Sequence, residues 1–141
     1  MNNQILSQQI ADLLNERNKL ESEYTGEKVF KELDNYVTLI ADDQLVACVE
    51  TKKVQWYQWE ILHLSVKETE EGKGYASRVL HLAEQLAIKE GAQVLQCTIR
   101  ANNANSIRLF EAKGYRKVNT FFNILSKRWL FIYQKVISIE S

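Results

Sequence analysis

An apolar run, Glu60-Ile-Leu-His-Leu-Ser-Val66, passes through a charged turn into Glu71-Gly-Lys-Gly-Tyr-Ala-Ser77 and on into Arg78-Val-Leu. This pattern reads as a strand, a turn, a glycine pair and the head of a helix. Two glycines one residue apart at such a junction leave backbone N–H groups uncrowded. The positive end of the helix dipole stands behind them. A junction of this kind is suited to phosphate. The rest of the chain reads as its support or as the wall opposite.

In chain order, Leu6, Ile10, Leu13, Leu14 and Leu20 recur at helical spacing, so residues 3–20 are expected to form an amphipathic helix capped by Asn2 or Asn3. Val29, Phe30 and Leu33, after Thr25-Gly26, suggest a second, short helix. Tyr36 to Ala41 and Leu45 to Lys52 are β-rich around Asp42-Asp43-Gln44, which predicts a hairpin. Trp56-Tyr57-Gln58-Trp59 leads into the strand ending at Val66. Ala76 to Glu90 places Val79, Leu80, Ala83, Leu86 and Ala87 on one helical stripe, with Gly91 as the stop. Val94 to Ile99 is a further strand, and Asn102 to Ser106 offers caps for a helix running to Gly114. Tyr115–Asn123 and Arg128–Ile137 read as two strands joined by a turn. The order α-α-β-β-β-α-β-α-β-β predicts an α/β fold with one mixed sheet.

The chain has 141 residues, and 18 basic side chains balance 18 acidic ones. A formal net charge of zero argues against nucleic acid as the partner. No apolar run approaches the ~20 residues of a membrane span, and the first residues lack the basic start and apolar block of a secretory signal. Cys48 and Cys97 lie in strand-like apolar runs without metal or redox spacing, so they read as buried small hydrophobes in a reducing cytoplasm.

The stretch from Glu60 to Leu80 resembles the acetyl-coenzyme A signature of the GNAT acetyltransferase superfamily. In that signature an apolar strand precedes Gln/Arg-x-x-Gly-x-Gly/Ala, here Glu71-Gly-Lys-Gly-Tyr-Ala76. A second family signature, Asn-x-x-Ala/Ser-x-x-Leu-Tyr-x-x-x-Gly-Phe, is similar to the run from Asn103 through Ser106, Leu109 and Phe110 to Gly114-Tyr115. The resemblance covers residues 36–137. It implies a single domain whose central mixed sheet, flanked by helices, splays between its two middle strands. Residues 1–35 would be N-terminal helices on the acceptor side, 36–114 the acetyl-CoA-binding core, and 115–137 a C-terminal hairpin.

The resemblance further implies an N-acetyltransferase that moves the acetyl group of acetyl-CoA to a primary amine, on a small molecule or a protein, without a metal. The amides of Gly72, Lys73, Gly74, Tyr75, Ala76 and Ser77 would hold the pyrophosphate, with Glu71 beside them among the cofactor-binding residues. Leu64, Ser65 and Val66 would hold the pantetheine arm, with the Leu64 N–H at the thioester oxygen as an oxyanion donor. Asn103, Ser106 and Phe110 would line the other side. Many relatives are homodimers, which leaves that state open here.

Two positions depart from the family pattern. Glu71 puts a negative charge beside an anion site, with Lys73 close enough in sequence to offset it. Phe110 stands where many members carry the tyrosine that protonates the departing thiolate; Tyr115 and Tyr133 are the substitutes at hand. A thiolate with a pKa near 8.5 can leave without an acid.

Glu60 has the spacing of the general-base glutamate in the histone-acetylating branch, and it shares strand parity with Leu62, Leu64 and Val66. The alternative is a solvated glutamate at a strand end. His63 has the opposite parity, so it should not join Glu60 unless the strand bulges. Trp56 and Trp59, with Tyr57, would either wall the acceptor pocket or pack on the sheet. His81 is expected at the surface. Arg100 would meet a coenzyme phosphate or solvent.

Other readings of the glycine pair are weaker. A dinucleotide fold needs more βαβ units than the chain can build, and Gly-x-x-x-x-Gly-Lys-Ser/Thr is absent. The rival reading is a GNAT-like sensor or interaction module that binds acyl-CoA without turnover, favoured by Phe110 and Glu71. A structural module with no coenzyme is a third.

Overall fold

Asn2 accepts from the Ile5 N–H at 2.8 Å and so caps the first helix, α1 (Asn3–Arg17). The computed structural model describes residues 1–18 and 22–137; Leu20, expected on this helix, lies outside them. Thr25 caps α2 (Gly26–Lys31) by accepting from Lys28 N–H at 3.1 Å. The strands are β1 (Tyr36–Ala41), β2 (Gln44–Gln55), β3 (Gln58–Val66), β4 (Val94–Arg100), β5 (Arg116–Asn123) and β6 (Arg128–Val136). Helix α3 (Tyr75–Lys89) lies between β3 and β4, and α4 (Ala104–Ala112) between β4 and β5. The element order is the expected one.

The six strands form one mixed sheet in the order β1-β2-β3-β4-β6-β5. Strands β3 and β4 run parallel, as a helical crossover requires. Their register covers Gln58↔Val94, Trp59↔Leu95 and Glu60↔Gln96 and then stops, although both strands continue. The pairing of these two middle strands thus ends at Glu60↔Gln96.

The chain divides into two compact units, Met1–Thr51 with His63–Gln85, and Lys52–Leu62 with Leu86–Ser141. In the first, Ile10, Leu13 and Leu14 of α1 pack with Val29, Tyr36, Leu45 and Cys48. The β1–β2 turn puts Asp42 and Asp43 at φ 51 and 60, the double left-handed bend that matches strand twist. In the second unit, Leu95, Cys97, Ile99, Phe110, Tyr115 and Tyr133 are buried. The β5–β6 register slips between Lys117 and Asn119, so β5 carries a bulge at its exposed edge.

Two details differ from expectation. Strand β2 continues past Lys52 to Gln55 because the arm before the Trp56-Tyr57 turn is paired yet exposed, and alternation is silent there. Leu86 is exposed, whereas Val79, Leu80, Ala83 and Ala87 are buried as expected. No helix among the described residues is long and apolar enough to cross a membrane.

Candidate active site

The glycine junction belongs to the first unit. After β3 a short turn, Glu68–Glu70, leads to Gly72 and Gly74 at φ 79 and 82. Both conformations are left-handed, which L side chains rarely adopt. A Cβ at either glycine would meet nothing within 4 Å, so the backbone and not packing demands glycine here. Glu71 through Gly74 are exposed, and the first helical bond of α3 runs from Arg78 N–H to Gly74 C=O at 3.1 Å. The N–H groups of Tyr75, Ala76 and Ser77 therefore have no acceptor within the helix. The loop and the helix start together form a cradle of donors.

Glu71 is answered from elsewhere in the chain. Arg17, in the last turn of α1, forms an ion pair with it and lies 3.9 Å from Glu68. Lys73, expected to offset Glu71, pairs instead with Glu70 at 2.7 Å. A guanidinium thus stands where the glutamate would otherwise leave a bare negative charge.

Upstream, His63 takes φ 52 inside β3, so the strand bulges there. Strict alternation from Glu60 ends at this point. Side chains hold the bulge: Ser65 Oγ donates to His63 C=O and accepts from Asn18 Nδ2, both at 2.9 Å. The His63 ring meets Tyr24 edge-on at 5.7 Å, and burial, with Lys28 nearby, lowers its pKa. Leu64 and Val66 flank Ser65, half-buried.

Glu60 lies in the second unit, half-buried. Its Oε1 accepts from Gln96 Nε2 at 2.6 Å and from Gln58 Nε2 at 3.5 Å. Burial raises its pKa above the ordinary glutamate value, and the two amides pull the other way. A carboxylate tuned in this manner accepts a proton more readily than an ordinary one.

Other expected site residues sort by surroundings. Trp56 is 70% exposed, while Trp59 is 7% exposed and carries the Lys53 ammonium 5.3 Å from its ring centre. Asn103 Oδ1 accepts from Ser106 N–H at 3.2 Å and so caps α4. Phe110 is buried, edge-on to Tyr115 at 4.9 Å. Tyr133 is buried and donates to Glu111 at 3.1 Å; burial raises its pKa, then that carboxylate. Arg100 is half-buried, and burial followed by neighbouring Arg128 lowers its pKa. Cys48 and Cys97 are free and buried, their thiols pushed up to about 12.

Arg17, Gln96 and Gln134 were not singled out by the sequence. Gln96 carries a faint signal, since it is an amide between apolar residues of a strand. Arg17 carries none.

The sequence profile of the acetyltransferase (GNAT) family matches residues 5–115. The chain belongs to this family. Among solved structures, the GNAT fold recurs in a GNAT family acetyltransferase from Elizabethkingia anophelis with acetyl-CoA bound, at 13% identity and a TM-score of 0.76, covering 89% of each chain. The ribosomal-protein-S18-alanine N-acetyltransferase from Escherichia coli aligns at 16% identity and a TM-score of 0.77, over 96% of this chain and 90% of that one. An aminoglycoside 6'-N-acetyltransferase complexed with coenzyme A aligns at 16% identity and a TM-score of 0.81, over 97% and 93%. No curated protein matches this GNAT chain significantly by sequence.

Proposed function

We propose that the protein is a cytoplasmic N-acetyltransferase that moves the acetyl group of acetyl-CoA directly to a primary amine. The observation that carries this reading is the exposed loop from Glu71 to Gly74 at the head of α3. Its two left-handed glycines leave open space in front of the N-terminus of α3. The family supports the reading, as do neighbours with acetyl-CoA or coenzyme A bound.

In this reading the amides of Gly72 to Ser77 take the pyrophosphate, the Glu71 N–H being held by Glu68 C=O at 3.3 Å. Leu64, Ser65 and Val66 take the pantetheine arm, and Asn103, Ser106 and Phe110 line its other side. Glu60, through water, accepts a proton from the acceptor's ammonium. The freed nitrogen lone pair attacks the thioester carbon, a C–N bond forms, and the Leu64 N–H steadies the oxyanion. Collapse breaks the C–S bond, the electron pair leaves on sulfur, and the nitrogen releases its surplus proton to solvent to leave the neutral amide. Tyr133 gives its hydroxyl hydrogen to Glu111, so the thiolate leaves without help from that phenol. The exposed Trp56 offers a ring to the acceptor more readily than the buried Trp59. Relatives acting on ribosomal-protein alanine and on aminoglycosides span protein and small-molecule acceptors.

The first test is a thermal melt with acetyl-CoA. At about 100 times its dissociation constant the ligand adds roughly 2.7 kcal/mol, a shift of several degrees. No shift with any acyl-CoA would sink the reading. Phe110 favours a second reading, an acyl-CoA sensor; release of thiol from acetyl-CoA with any primary amine excludes it.

Arg17 gives a further prediction. Arg17→Ala strips the cation from Glu71 and should weaken acetyl-CoA binding about three- to tenfold at low salt, less at high salt. Arg17→Ala with Glu71→Gln should restore it. Calorimetric titration of both variants checks this, and a double variant as weak as the single one contradicts it.

A further inference from the structure

Glu60 stands at one end of a row that crosses the sheet of the second unit. The register sets Glu60 opposite Gln96, Gln96 opposite Gln134, and Gln134 opposite Arg116. Directly paired residues project from the same face, so the row is continuous from β3 through β4 and β6 to β5. Its hydrogen bonds run one way. Gln134 Nε2 donates to Gln96 Oε1 at 2.6 Å, and Gln96 Nε2 donates to Glu60 Oε1 at 2.6 Å. Two amide dipoles lie head to tail with the donor end on the carboxylate, an arrangement in which each bond strengthens the next. The Gln58 contact, at 3.5 Å, reaches the same oxygen at the limit of bonding distance. Oε2 receives no hydrogen bond from the described residues. One oxygen of Glu60 is therefore pinned and the other is available.

We propose that Gln96 and Gln134 are positioning residues for acetyl transfer, a donor row that fixes Glu60 Oε1 and leaves Oε2 to take the acceptor's proton. This rests on Glu60 being the base. Rotation about the terminal torsion of a glutamate is broad and soft. A base must be aimed within hydrogen-bond reach of the proton it removes. Gln96 supplies the aim. Gln134 fixes the Gln96 amide in the orientation that presents N–H₂, not oxygen, to the carboxylate. The row also opposes the effect of burial on the Glu60 carboxyl.

The test uses Gln96→Met and Gln134→Met, which keep length and bulk but remove the donor. Two readouts are taken on the full chain. One is the carbon-13 NMR titration of the Glu60 carboxyl, identified by its loss in Glu60→Gln. The other is the pH profile of kcat/KM for acetyl transfer to an amine that supports thiol release. Gln96→Met should raise the Glu60 midpoint by about half to one pH unit and move the acid limb of the profile by the same amount. Gln134→Met, acting through Gln96, should move both less in the same direction. Neither variant should change the melt shift produced by acetyl-CoA.

If the titration moves and the acid limb does not, the row is structural only and the proposal is overturned. An unmoved titration in both variants overturns it too. If Glu60→Gln itself leaves the acid limb in place, the base assignment falls first, a result distinct from a failure of the row. Should Gln96→Met not fold, Gln134→Met decides alone through the same two readouts.

Discussion

Glu60→Gln should lower acetyl transfer at neutral pH by about a hundred- to ten-thousandfold, the range in which a positioned base contributes. It should also erase the acid limb of kcat/KM. The limb arises because the ionised carboxylate is the active form, so the rate falls as pH drops through the Glu60 pKa. Burial raises that pKa, and the limb should lie above the ordinary glutamate range. The glutamine keeps the shape of the side chain and an oxygen for Gln96 Nε2, so acetyl-CoA binding and the fold should persist. An unchanged pH–rate profile would remove Glu60 from the mechanism.

Stability should move the other way. A carboxyl whose folded pKa is raised holds its proton to higher pH in the folded chain than in the unfolded one. Its contribution is complete below the ordinary glutamate range and is lost as pH rises through the folded value. Once ionised, the half-buried Glu60 is thus a net burden on the fold. Glu60→Gln should melt slightly higher than the parent at neutral pH, with the difference closing as pH falls through that window. A catalytic group kept against stability is what a functional carboxylate in a partly buried setting leads one to expect. A lower melt at neutral pH would mean that the Gln96 bond outweighs burial.

How much of this was readable before the fold was known depends on the range of the interaction. Asn2, Thr25 and Asn103 cap their helices through contacts three residues away, and capping chemistry is local. Gly72 and Gly74 announced their positive φ because few other residues tolerate it. His63 reaches φ 52 with no such signal: nothing in Leu-His-Leu distinguishes a bulged strand from a regular one, and the Asn18–Ser65 bond that holds it joins residues 47 apart. Lys73 illustrates the limit of proximity in sequence. It stood nearer to Glu71 than any other cation, yet the turn through Gly72 delivers it to Glu70, three residues back, while Arg17 arrives from 54 residues away. Leu86 fitted the apolar stripe by period and is exposed, because periodicity gives the direction of a side chain but not where its cover ends. The Gln134–Gln96–Glu60 row was out of reach for a stronger reason. It exists only once three strands are in register, and register across separate strands is not written in any one of them.

Gly74 carries the other large effect. Gly74→Ala places a Cβ on a backbone at φ 82, and the left-handed conformation alone should cost about 1–2 kcal/mol. Nothing within 4 Å obstructs that Cβ, so the chain should still fold and bind acetyl-CoA, more weakly. Gly74→Glu imposes the same backbone cost and adds a carboxylate where the pyrophosphate is proposed to sit. Two like charges a few ångströms apart in a partly desolvated cradle are worth several kcal/mol, so binding should fall more than about a hundredfold. The alanine variant is the control that separates strain from charge. Both variants should melt alike without ligand, and acetyl-CoA should raise the melting temperature of the alanine variant only. If it raises both equally, the coenzyme does not use this loop, and the proposed function loses the observation that carries it. If it raises neither while shifting the parent, the loop's backbone conformation rather than its open space is what acetyl-CoA requires, because strain alone would then have emptied the site.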